Sequence, residues 1–230
     1  MTITPNILTR WAGLAAVAAG TIFIGVQINH PHMDATSITT ANVLVRDCLK
    51  VLMAALALVG ITGMYLRQVR QTGVLGLLGY LMFSLGYLII MGTVFAAAFI
   101  LPSVADLNPA FVNDVTAVAN GGHASGDIGL FQQVIAVQGA TYLLGGLVFG
   151  IALYRARVLT RWAAALLAVG GLVSAALTVM PDAFYRLLAF PNGIAMIALG
   201  YSLWKLTRNE DATQADTLAP VPVPSTAGAK

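Results

Sequence analysis

Three charged residues fall within five positions at Arg46, Asp47 and Lys50, in a stretch otherwise rich in Val, Leu and Ala. On a helix Asp47 and Lys50 are spaced i, i+3 and Arg46 and Lys50 i, i+4, so the carboxylate can pair with a cation on one surface. Inside a bilayer such groups are costly and mark functional sites by default. The same residues also suit an interfacial role. An Asp near a helix N-terminus complements the dipole, and Arg and Lys side chains snorkel to lipid headgroups.

Histidines form a second set. His30 and His32 flank Pro31, which favours an extended backbone at His30 and lets both rings turn to one side. His123 belongs to a long acidic loop that also holds Asp106, Asp114 and Asp127; Asp34 and Asp182 fall in other loops on the same face. A divalent metal accepts His and carboxylate ligands of this kind. The spacing of His30, His32 and His123 matches no metal signature, and none of them lies where a helix core would present a haem ligand. No cofactor is therefore expected.

Gln138 is the third feature. With Tyr142, Gly146 and Gly150 it lies on one face at helical spacing, either hydrogen-bonding to a neighbouring helix or lining a pathway. Enzymatic signatures are missing from the chain: it has no phosphate-cradling glycine loop, no HExxH and no GxSxG. Gly121-Gly122-His123-Ala124-Ser125-Gly126 is glycine-rich but lacks the Lys-Ser/Thr that completes a nucleotide loop.

The elements that must position these residues follow from composition. The 230 residues are 58% hydrophobic and 9% charged, against about 25% charged in soluble domains, and the mean hydropathy is +0.83. This describes an all-α polytopic membrane protein. A net charge of +3 without a clustered basic stripe excludes nucleic acid as a partner. Cys48 is the single cysteine, so no intrachain disulfide is possible.

A helix crosses the hydrocarbon with about 20 apolar residues. Six stretches qualify, approximately Trp11 to Ile28, Arg46 to Leu66, Val74 to Leu101, Gly129 to Leu153, Trp162 to Met180 and Phe190 to Leu206. Proline or clustered charge ends each one. Counting Lys and Arg in short loops places Arg10, Arg67, Arg70, Arg155, Arg157, Arg161, Lys205 and Arg208 on one side and only Arg46, Lys50 and Arg186 on the other. The positive-inside rule then puts both termini in the cytoplasm of a bacterial plasma (inner) membrane. Residues 1–206 form the membrane domain, and the polar, proline-rich 207–230 segment reads as a disordered cytoplasmic tail. The outer segment from Pro102 to Ile128 reads as a loop with a mobile centre at Asn120-Gly121-Gly122 and Ser125-Gly126.

Leu8-Thr9-Arg10-Trp11-Ala12 recurs as Leu159-Thr160-Arg161-Trp162-Ala163. Convergent anchoring of helix ends explains such a match; so does a parallel repeat of three helical hairpins. Close helix packing is expected at Gly146 and Gly150, at Ala16 and Gly20, and along Gly76, Gly79, Gly86 and Gly92.

The run Gly60-Ile61-Thr62-Gly63-Met64-Tyr65-Leu66-Arg67-Gln68-Val69-Arg70-Gln71-Thr72-Gly73-Val74-Leu75-Gly76, together with the turn from Arg155 to Trp162, resembles small multi-pass proteins of bacterial genomes with no assigned activity. The resemblance covers the membrane region and implies no site residue. Two function classes are expected. One is a non-enzymatic accessory or interaction component whose outward face senses or binds something, with membrane lipids and a homo-oligomer or another membrane protein as partners. The other is a small-molecule transporter or permease whose polar outer vestibule uses Asp47, Lys50 and Gln138. A polar cavity joining those three across the bundle interior favours transport; side chains reaching headgroups around a dry centre disfavour it.

Overall fold

The computed structural model describes residues 4–177 and 189–218, and every regular element among them is helical. In chain order these are α1 (Pro5–Gln27), a 3-10 turn (Ser37–Thr39), α2 (Ala41–Arg67), α3 (Val69–Phe99), α4 (Leu101–Ala105), α5 (Pro109–Ala119), α6 (Phe131–Ala156), α7 (Arg161–Leu177) and α8 (Ala189–Leu218). Helices α1, α2, α3 and α6 are long and apolar enough to cross a membrane, and α7 carries a shorter apolar stretch over Arg161–Gly170. Asp182, Arg186 and the Met180-Pro181-Asp182 break lie outside the described residues, as does the 219–230 part of the tail.

Local chemistry sets the helix starts. Thr4 caps α1 by accepting from Ile7 N with Pro5 in the first turn, and Thr40 caps α2 by accepting from Val43 N. The second helix therefore begins five residues before Arg46, and the charged cluster lies beyond its first turn. Gly73 interrupts the start of α3 with φ 56° and ψ −149°, a conformation open essentially to glycine alone.

Helix α1 packs on α2 and α8, α2 on α3, α3 on α6, α6 on α7, and α7 on α8, so the six longer helices close a ring in chain order. Without a hydrophobic force between helices in lipid, small residues let the backbones approach. Gly13 meets Gly200 and Gly20 meets Gly193 across α1 and α8, while Gly60 meets Ala16 across α2 and α1. Ala16 thus borders both α2, at Gly60, and α8, at Gly200, while Gly20 borders α8. Gly79 abuts the Phe149 backbone and Gly86 that of Tyr142. On α6 it is Gly145 that meets the Phe83 backbone, with Gly146 touching only the Phe83 ring; Gly150 faces Ala164 and Ala168 of α7. Gly92 has open space around it, and the nearest neighbour of Gly76 is Thr72 of its own helix.

The two ends of the ring differ. At one, Arg67 pairs with Glu210, Asn6 Nδ2 donates to Asp211 Oδ1 at 3.3 Å, and Arg10 and Arg161 lie over the rings of Trp204 and Tyr154. Helix α8 continues to Leu218, past Leu206, where the sequence alone ends the last span.

The other end carries a structured cap. Where the sequence reads as a loop, α4 and α5 form, with Asn108 capping α5 through Phe111 N and Pro109 in its first turn. Ile38, Val43, Leu101, Ala105, Val112 and Val115 bury one another in a small core separate from the main one. The expected mobile centre is pinned by Asp114, whose carboxylate accepts from Ser125 N, Ser125 Oγ and Gly126 N at 2.8 to 2.9 Å. These bonds, led by the Ser125 backbone N–H, hold the Asp114 carboxyl below its ordinary value of 3.8.

Candidate functional site

Below this cap lies a cavity of about 410 Å³, within the roughly 300–1,000 Å³ of small-molecule pockets. Its walls come from the end of α1, the start of α2, the end of α3, the start of α6, and α5. Asp47, Lys50 and Gln138 all line it.

Helix α2 supplies the polar pole. Asp47 is almost wholly buried, its side chain 2% exposed, and Lys50 stands one turn further on with its Nζ 2.7 Å from Asp47 Oδ1. Lys50 Nζ also lies 2.9 Å from His30 Nε2. His30 Nδ1 is 2.8 Å from the Pro31 carbonyl oxygen, which can only accept. The ring is thereby assigned its proton at Nδ1, leaving the Nε2 lone pair to accept from the Lys50 ammonium. Asp47 Oδ2 is buried and accepts no hydrogen bond from the described residues. An unsatisfied carboxylate oxygen of this kind is costly, by about 1–3 kcal/mol or more.

Gln138 defines another part of the wall. Its Oε1 accepts from Thr93 Oγ1 of α3 at 3.0 Å. Between the two poles the lining is mostly apolar, with Val94, Ala97, Phe111, Val115, Phe131 and Ile135. Towards the basic end, Phe83, Tyr87 and Tyr142 pack ring to ring with centroids 5.1 to 5.4 Å apart. Gly86 against Tyr142 and Gly145 against Phe83 close α3 on α6 at the same level. These rings form an aromatic floor about one turn beyond Gln138.

Arg46 does not join the polar pole. Its Nη1 donates to the carbonyls of Val26 and Ile28 at 2.9 and 3.0 Å, and its Nε to Asn42 Oδ1 at 2.8 Å. A guanidinium here satisfies the orphan carbonyls at the end of α1 and latches it to α2. The spacing that places Arg46 and Lys50 together along the helix is overridden by this nearby acceptor pair.

The histidines part company as well. His30 lines the cavity, whereas His32 and His123 are exposed. Among the described residues no group of three His, Cys, Asp or Glu side chains could hold a metal ion. Thr93, Thr116 and Asn120 all line the cavity, although the sequence marks none of them as a site residue and Asn120 only as part of a mobile loop centre. The signal for the last two was legible: Asn108-Pro109 followed by apolar residues at Val112, Val115 and Ala119 is a capped amphipathic helix. Thr93 gave no comparable signal, since a Thr in a long apolar helix commonly bonds back to its own backbone.

Compared with family models, curated proteins and solved structures, the chain matches none of them.

Proposed function

We infer that this chain is a six-span protein of a bacterial plasma membrane, with both termini cytoplasmic, and that it works as a non-enzymatic component binding a small molecule in the pocket at its outer end. One observation carries the binding reading: Asp47, Lys50 and Gln138, from two helices, line a single cavity of small-molecule size, and Asp47 carries a buried oxygen with no donor among the described residues. Support for six spans comes from α7 and α8 completing the ring begun by the four longest apolar helices. Support for the orientation comes from Arg10, Arg67, Arg161 and Arg208 gathering at the end opposite the pocket.

A permease is the second reading. It is favoured by the recurrent Leu-Thr-Arg-Trp-Ala motif, whose two copies take like positions. Trp11 and Trp162 face outward, Ala12 and Ala163 are buried, and Arg10 and Arg161 each lie over an aromatic ring at the end of the preceding helix of the ring. Three in-phase hairpins of the parallel-repeat kind explain this pattern. In that case the aromatic floor must part during a cycle.

Native mass spectrometry of the full chain extracted in its own lipids tests the binding reading. The wild type is expected to retain a small molecule that Ala97→Trp, which fills the cavity, excludes. Identical bound mass in both proteins overturns the reading.

A further inference from the structure

Resting on the binding reading, we propose that the pocket takes a neutral amphiphile headed by a hydroxyl group, with the hydroxyl at Asp47 and Lys50 and the hydrocarbon body against the α3, α5 and α6 walls. The charges at the pole sum to zero: an ionised Asp47, a Lys50 ammonium in contact with it, and a His30 ring whose proton sits at Nδ1 facing a carbonyl. A charged ligand head would leave one uncompensated charge beside a carboxylate that is only 2% exposed, which such a partly desolvated site disfavours.

The unused hydrogen-bonding capacity narrows the head further. Lys50 has three N–H donors, of which Asp47 Oδ1 and His30 Nε2 take two. Asp47 Oδ2 has no donor among the described residues. The pole therefore offers one donor and lacks one, and an alcohol is the smallest neutral group that accepts and donates through a single atom. A ketone or ether satisfies only Lys50. An apolar guest satisfies neither and leaves the Asp47 oxygen buried without a partner.

The rest of the lining fits a hydrocarbon body. Phe111 and Val115 of the cap, Val94 and Ala97 of α3, and Phe131 and Ile135 of α6 present carbon to the space. Two sources share this chemistry, a free medium-chain alcohol and a bilayer alcohol such as a monoacylglycerol.

The test uses the full chain in phosphatidylcholine nanodiscs and a diazirine-bearing decanol, with labelled positions mapped by peptide mass spectrometry. Saturable labelling of cavity residues is expected, competed by decanol at least about tenfold better than by decanoate or decylammonium, a ratio worth about 1.4 kcal/mol. Monodecanoylglycerol competing more strongly than decanol assigns the bilayer source, and the reverse order the free alcohol. Lys50→Met leaves the pole at −1 and should turn the preference towards decylammonium; Asp47→Asn leaves it at +1 and should turn it towards decanoate.

The competition order on the wild type stands even where a variant fails to fold. Equal or better competition by either charged analogue on the wild type overturns the hydroxyl assignment and leaves the pocket standing. Absence of cavity labelling in the wild type, with Ala97→Trp changing nothing, removes the pocket reading itself.

Discussion

Lys50 Nζ sits 2.7 Å from Asp47 Oδ1 on adjacent turns of α2, with the carboxylate 2% exposed and the lysine 17% exposed. Burial of this degree separates the pair from an ordinary surface ion pair, whose contribution is about 0–1 kcal/mol. Removing one partner strands the other away from water. Asp47→Asn and Lys50→Met are each expected to destabilise the protein by roughly 3–5 kcal/mol, Lys50→Met towards the upper end because it leaves the more deeply buried charge unpaired. The double variant should lose much less than the sum. Thermal denaturation of the four proteins in detergent, treated as a double-mutant cycle, measures the coupling; additive losses would mean that the two side chains do not interact.

Arg46 behaves differently although it neighbours the pair in sequence. Its loss frees the Val26 and Ile28 carbonyls and unties α1 from α2. Arg46→Ala is expected to cost about 1.5–3 kcal/mol, the value of hydrogen bonds to a charged group. Hydrogen exchange should quicken around the end of α1 while ligand occupancy of the pocket holds. Loss of occupancy at unchanged stability would return Arg46 to the site.

Glycine substitutions separate packing from conformational freedom. A Cβ at Gly79 would stand 2.5 Å from Phe149 N, whereas nothing lies within 4 Å of one at Gly92 or Gly139. Gly79→Ala is expected to lose about 1–3 kcal/mol through overpacking. Gly92→Ala should be neutral or gain up to about 1 kcal/mol of helix propensity. Melting temperatures of the two variants in one detergent check the contrast, and equal losses would contradict the close α3–α6 approach.

What the sequence made legible divides along physical lines. The positions of the first four spans and the i, i+3 pairing of Asp47 with Lys50 follow from local periodicity and charge, and α1, α2, α3, α6 and the ion pair bear them out. Arg46 shows the limit of that reasoning: its acceptors, Val26 O and Ile28 O, lie about 20 residues away on another helix, and spacing along α2 carries no information about them. The joining of Gln138 to Asp47 depends in the same way on how α2, α3 and α6 pack. The cap helices are a different kind of omission, because Asn108-Pro109 is itself a helix start signal, present in a segment that otherwise reads as a loop.

The cap should loosen in acid. Asp114 has its carboxyl lowered chiefly by the Ser125 backbone N–H, so its contribution is complete above the unfolded value near 3.9 and is lost as pH falls through the lower folded value. Amide exchange at Ser125 and Gly126, corrected for the intrinsic pH dependence, is expected to keep constant protection from pH 7 to about 5 and to lose it below about 4. Asp34, lowered first by the Ser37 backbone N–H, should release Thr36 and Ser37 over the same acidic range. Loss of protection near pH 6 would place control of the cap on a different group.

Thiol accessibility of position 138 tests the central claim most directly. On a Cys48→Ser background, Gln138→Cys in intact cells is expected to react with a small membrane-impermeant methanethiosulfonate added outside, and Ala97→Trp should abolish that reaction by filling the shared cavity. Reaction from the cytoplasmic side alone, or reaction from outside that Ala97→Trp leaves unchanged, would contradict an outer pocket joining Asp47, Lys50 and Gln138.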